Sequence, residues 1–169
     1  MSKEYFKRRQ NLLKELLSQK GLDGMMVTNL THIRYLCGFT GSSATLVITE
    51  EQTNFITDGR YVVQSEKEVK GANIIIDSVP HFEVIKNQNL LTNGSKIAFD
   101  GKNVSHEGFQ QISSVLSNIK LESITGLIEK MAMSKDDKEL EAIRTAVEIT
   151  DKAFAEVLPM VKIGVEEKV

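Results

Sequence analysis

The chain has 169 residues, 41% of them apolar and 26% charged, which suits one globular domain, or one domain with an appendage. Its formal net charge of −2 gives no bulk attraction to nucleic acid or anionic lipid. No apolar run approaches bilayer length, MSKEYFKRRQ lacks a secretory apolar core, and the single cysteine, Cys37, cannot close an internal disulfide; a cytoplasmic protein without nucleic-acid or membrane partners is expected.

In chain order, Phe6, Leu12, Leu13, Leu16 and Leu17 recur at helical spacing, so Lys3 to Gln19 is predicted as a helix with Ser2 as N-cap and Gly21 as its stop. Gly24 to Thr28 is apolar without alternation, the pattern of a short buried strand. Asn29 then caps a second, shorter helix to Cys37, ended by Gly38. Ala44 to Glu50 and Asn54 to Asp58 are β-rich and separated by a short polar turn, which predicts a hairpin.

Arg60 to Val69 is predicted as a helix, and Asn73 to Val79 as a buried strand ended by Pro80. His81 to Leu91 is helical in period, with Asn93-Gly94 closing it. Lys96 to Asp100 is a strand, Ser105 to Leu116 a helix with Phe109, Ile112, Val115 and Leu116 inward, and Leu121 to Thr125 the last strand. Strands alternating with helices around one hairpin predict an α/β fold. Its form is a three-layer α/β/α sandwich on a mixed, mostly parallel sheet.

The tail differs. Ser134 and Asp137 resemble a capping box at the start of a long amphipathic helix to about Leu158. Its stripe of Leu140, Ile143, Val147, Phe154, Val157 and Val161 needs a surface to pack on. Pro159 and Gly164 interrupt it, and VEEKV opens an element that does not finish within the chain. Residues 1–128 are therefore read as one domain. Residues 129–169 are read as a linker and the first helix of a further domain, as in a fragment of a longer protein.

The chemistry-bearing residues form few constellations. His32, His81 and His106 are too far apart for helical ligand spacing and no Cys pair exists, so no metal site is expected; Asp58, Asp77 and Asp100 at strand ends are read as capping or solvated acids. Cys37, Ser42 and Ser43 lack a base at a suitable spacing, so no catalytic residue is assigned. GFTGSS has neither a P-loop ending nor the three-glycine dinucleotide spacing, and marks a tight turn. Arg34-Tyr35 and Arg60-Tyr61 remain, since guanidinium forks and phenols suit a site edge that holds a carboxylate. Their structural alternative is an Arg34 or Arg60 pair with Asp58 and rings in the core.

The NxxxIRYLxGFxGS and TDGRY segments and the KxxxELEAIRTAxEITD run resemble the creatinase/prolidase family, specifically Xaa-Pro peptidases, over about Phe6 to Glu167. The resemblance implies an N-terminal, ribonuclease H-like domain followed by the start of a "pita-bread" metallopeptidase domain. Family members hydrolyse the bond before proline with two divalent metals, commonly manganese. The ligands are two Asp, one His and two Glu in that following domain, so the resemblance implies no cofactor and no activity for this chain by itself. It also implies roles in homodimerisation and in the rim of the cleft that admits short proline-containing peptides. Arg34 and Tyr35 are the first rim candidates, and Arg60 and Tyr61 the second. The short domain points to a dipeptidase; a binding module of the inactive, histone-chaperone type is the alternative.

Overall fold

Gly24–Val27 (β1) is buried at every position because it lies inside a sheet, as the computed structural model, which describes residues 2–166, shows. It pairs antiparallel with β2 (Thr45–Thr49) and parallel with β5 (Lys96–Asp100). β2 is also antiparallel to β3 (Thr53–Thr57), whereas β3 and β4 (Asn73–Ile76) are parallel, as are β5 and β6 (Lys120–Ile124). The six-stranded order is β4-β3-β2-β1-β5-β6, with β2 running against the rest. The mixed, mostly parallel sheet is the one expected.

Strand alternation then divides the core. Met26, Val47, Ile56 and Ile97 share one face, covered by Val84 and Ile85 of α4 (His81–Asn87), Ile112 of α5 (His106–Val115) and Leu116. Met25, Val27, Leu46 and Ile48 alternate to the other face. There α1 (Lys3–Gln19) packs on β1 and β2 with α2 (Leu30–Cys37) beside it, contributing Leu13, Leu17, Ile33 and Leu36. Truncating one such fully buried leucine to alanine costs about 2–5 kcal/mol, because a cavity remains where the methyls were.

The structure corrects several expectations. β4 was expected to be buried, but it is the sheet edge and half-exposed, with Ile76 at 38%. α4 stops at Asn87 rather than Leu91; Asn89 adopts φ 50°, and Leu90 and Leu91 reach the core from the loop. The turn Gly59–Tyr61 is 3-10 and precedes α3 (Val62–Glu68), so the predicted single helix is two pieces. Phe109 is 36% exposed, its ring stacked on Phe99 at 5.3 Å instead of buried. α6 (Leu127–Met133) was not expected, being only two turns long.

The chain divides into two compact units, Met1–Lys130 and Met131–Val169. In the second, α7 (Asp137–Val157) is capped by Asp136 rather than Ser134. Asp136 accepts the amides of Lys138 and Glu139, and Glu139 accepts the amide of Asp136 in return. None of α7's residues is buried, so its apolar stripe is exposed. A 3-10 turn at Leu158–Met160 follows, and Glu167 to Val169 of the VEEKV stretch lie outside the described residues. No described helix is long and apolar enough to cross a membrane.

Candidate functional site

The loop after α2 is folded over one ring. Asn29 starts α2 by accepting the amides of Thr31 and His32 at 2.9 and 3.2 Å, and Gly38 ends it at φ 90°. A Cβ on Gly38 would also lie 2.9 Å from Phe6 Cζ and 3.0 Å from the Glu68 carbonyl oxygen, so backbone angle and space both demand glycine there. Phe39 is buried beyond it, edge-on to Phe55 at 4.7 Å and to Tyr61 at 5.4 Å. A Cβ on Gly41 would stand 2.3 Å from the Phe39 ring and 2.7 Å from Tyr61. The glycine corner therefore closes over Phe39 and delivers Thr40, Ser42 and Ser43 beside the end of β3.

Polar groups ring that corner. Thr40 donates its amide and hydroxyl to Glu68 at 2.7 and 2.9 Å, and Gln64 adds a third donor at 3.1 Å. Burial pushes the Glu68 carboxyl up, but the Thr40 and Gln64 donors outweigh it and hold the group below its ordinary value. Ser42 lies with its Oγ 2.6 Å from the Tyr61 hydroxyl, and the Ser42 hydroxyl and amide draw the phenol below its usual range. Asp58 caps the Gly59–Tyr61 turn and receives the Arg60 fork at 2.8 and 2.9 Å, which holds its carboxyl well below the usual carboxylate range. On the neighbouring element, His81 Nδ1 shares a hydrogen bond with Thr45 Oγ1 at 2.9 Å, and burial lowers its proton affinity.

The four rim candidates fare differently. Arg34 is exposed on α2, close enough to Glu68 to favour that carboxylate. Tyr35 instead faces α1: the Arg9 guanidinium sits 4.0 Å above its ring and donates to its carbonyl at 3.0 Å. Arg60 is exposed but engaged by Asp58, and Tyr61 holds the glycine corner by ring and hydroxyl. The structure thus gathers Arg60 and Tyr61 with Ser42 and Asp58, and sends Arg34 and Tyr35 to different neighbours. Cys37 is fully buried, and burial pushes its thiol up to about 12, so it is an inert core group. Thr45 meets a histidine base, but at 2% exposure it offers no surface to a substrate.

One grouping escaped sequence reasoning. His32 Nδ1 lies 3.5 Å from Asp100 Oδ2, and His32 Nε2 lies 3.8 Å from Glu129 Oε2. The fold brings these together from α2, the end of β5 and α6. The available signal was Asp100 at a strand end; Glu129 lay in a helix that periodicity did not reveal.

Residues 8–134 match the Creatinase/Prolidase N-terminal domain family. The chain belongs to that family. It is 31% identical over 165 residues to the uncharacterized peptidase YqhT of Bacillus subtilis (strain 168), covering 92% of this chain and 44% of that one. An Xaa-Pro dipeptidase from Bacillus anthracis superposes with a TM-score of 0.89 at 26% identity, over 96% of this chain and 45% of that one. The N-terminal domain of the cytoplasmic peptidase PepQ from Mycobacterium tuberculosis H37Rv gives 0.64 at 26% identity, over 73% and 97% respectively. The chain thus spans less than half the length of YqhT and of the dipeptidase.

The dinuclear metal set of the creatinase/prolidase resemblance does not fit the residues present. It needs two Asp, one His and two Glu. Among the described residues the ligand types converge only as His32, Asp100 and Glu129. No step of peptide hydrolysis is assigned to this chain's side chains.

Proposed function

We propose that this chain is the non-catalytic N-terminal part of an Xaa-Pro dipeptidase, working with a following metallopeptidase domain. The observation that carries this is the superposition of 96% of the chain on 45% of an Xaa-Pro dipeptidase, which leaves the larger share of such an enzyme to be supplied. In that reading two divalent ions, manganese by preference, supply Lewis-acid chemistry in the following domain. The domain described here contributes a homodimer contact and the rim through which short proline-containing peptides enter. The α7 stripe packs into the following domain, and the protein is cytoplasmic, as the PepQ relative is described. The peptidase names of the relatives favour this reading over a protein-binding module.

At the rim, Arg34 is the residue best placed to hold a substrate carboxylate, because its side chain is exposed whereas the Arg60 fork is taken by Asp58. Arg34→Ala in a protein carrying both domains should raise KM roughly tenfold, about 1.4 kcal/mol of binding, with kcat little changed. Arg60→Ala and Tyr61→Phe should have smaller effects. Unchanged KM in Arg34→Ala would assign that residue to the support of Glu68 instead.

A further inference from the structure

We propose that His32, Asp100 and Glu129 form a mononuclear binding site for a divalent transition-metal ion. Asp100 is 3% exposed, yet no lysine or arginine pairs with it among the described residues. Its hydrogen-bond donors are neutral: the Lys102 amide at 3.1 Å and the Asn103 side-chain amide at 2.5 Å. A carboxylate this buried ordinarily has a cationic partner. Facing it, His32 is 8% exposed and its Nδ1 is buried with no hydrogen-bond partner. A buried acceptor or donor left unpaired costs about 1–3 kcal/mol. A cation seated between the two groups would satisfy both at once.

The spacing fits an ion better than a direct bond. At 3.5 Å the Nδ1···Oδ2 approach is not made as a hydrogen bond. Donors roughly 2.0–2.2 Å from a tetrahedral ion lie roughly 3.4 Å from one another. One ligand atom from each of His32, Asp100 and Glu129 lies within 4.8 Å of the other two; an ion held by Nδ1 and Asp100 would draw the Glu129 carboxylate, now 3.8 Å from Nε2, across to the Nδ1 side. An imidazole nitrogen with two carboxylate oxygens suits zinc, cobalt(II) or manganese, and suits calcium or magnesium less well. Three protein ligands leave one position to water, and the Glu129 side chain, 41% exposed, is the ligand that opens to solvent.

The surroundings hold the two buried ligands in place. Asn29 accepts the first amides of the helix that carries His32, and through its Nδ2 it donates to Asn103 Oδ1 at 2.8 Å. Asn103 in turn donates to Asp100. One amide chain therefore fixes both sides of the site, the arrangement by which outer-sphere groups orient metal ligands. The position is also favoured by topology. β1 and β5 are adjacent and parallel, and beyond their carboxyl ends the chain departs toward β2 on one side and β6 on the other. Crevices of open α/β sheets occur at such reversals.

The test titrates the metal-free chain with cobalt(II) and with zinc, reading cobalt visible absorption and calorimetric stoichiometry. One ion per chain is expected, with an absorption spectrum of four- or five-coordinate cobalt. His32→Ala should abolish the spectrum, Asp100→Asn should weaken binding at least 100-fold, and Asn103→Ala should weaken it about tenfold. His106→Ala, a change to an exposed histidine, should leave it unaltered. If Asp100→Asn fails to fold, the half-exposed Glu129→Gln decides, with an expected loss of about tenfold or more. Unaltered cobalt binding in His32→Ala would overturn the proposal. So would an absence of binding together with an NMR signature of a doubly protonated His32 ring bridging the two carboxylates.

Discussion

The Tyr61 hydroxyl lies 2.6 Å from Ser42 Oγ, tying the turn after β3 to the glycine corner after α2. The same ring stands edge-on to Phe39, so one residue supplies both an apolar and a polar tie. Tyr61→Phe should keep the first and lose the second, and Tyr61→Ala should lose both. Melting temperatures should therefore fall in the order wild type, Phe, Ala. In Ser42→Ala the Tyr61 phenol should titrate nearer its ordinary range, because the donors that lower it are reduced to the amide. Equal destabilisation by Phe and Ala would show that the hydroxyl, not the ring, holds the corner.

Cys37 provides a probe of core integrity. It is fully buried in α2, and its thiol is pushed up to about 12 by desolvation. The thiolate is the reactive species, so a thiol reagent at about pH 8 should leave the folded chain unlabelled and react fully once the chain is denatured. Stoichiometric labelling of the native protein on mixing would contradict the packing of α2 against α1.

His81 sets a pH dependence. Burial depresses its folded pKa, with Asp58 opposing the shift. A base whose folded pKa lies below its unfolded value contributes stability that is present above the unfolded value and lost as pH falls through the folded one. The urea midpoint should therefore begin to fall below about pH 6.5, the unperturbed imidazole value. His81→Gln, which retains a partner for Thr45, should remove that part of the loss. Glu68 and Asp58, whose folded pKa values are also depressed, should contribute a second loss at lower pH, below the ordinary carboxylate range. An identical profile in His81→Gln would exclude the histidine as a source.

The sheet was legible because its strands carry their burial in their residues: Met25, Met26 and Val27, or Ile97, Ala98 and Phe99, admit no exposed face. The caps of α1 and α2 were legible for the same local reason, each placing Ser or Asn before the first turn, whereas Ser105, read as the first residue of its helix, is the cap of α5. β4 misled because three consecutive isoleucines look equally buried in a central strand and at an edge; only its place beside β3 decides. Leu90 and Leu91 extended the apparent period of α4 although they reach the core as loop anchors. At the site, Arg60 and Asp58 are two residues apart and their pairing was foreseeable as the structural alternative. The Arg9–Tyr35 contact spans 26 positions, and His32–Asp100 joins separate elements. No local pattern encodes either.

A chain that shapes a peptidase whose chemistry lies in a following domain should be inactive by itself. The decisive assay is release of proline from an Xaa-Pro dipeptide with manganese. The 169-residue chain and a longer protein that includes the metallopeptidase domain should be compared under the same conditions. Manganese-dependent turnover is expected of the longer protein and none of the chain alone, with metal bound at His32, Asp100 and Glu129 or removed. Robust manganese-dependent turnover by the isolated chain would overturn the assignment of the chemistry to a following domain.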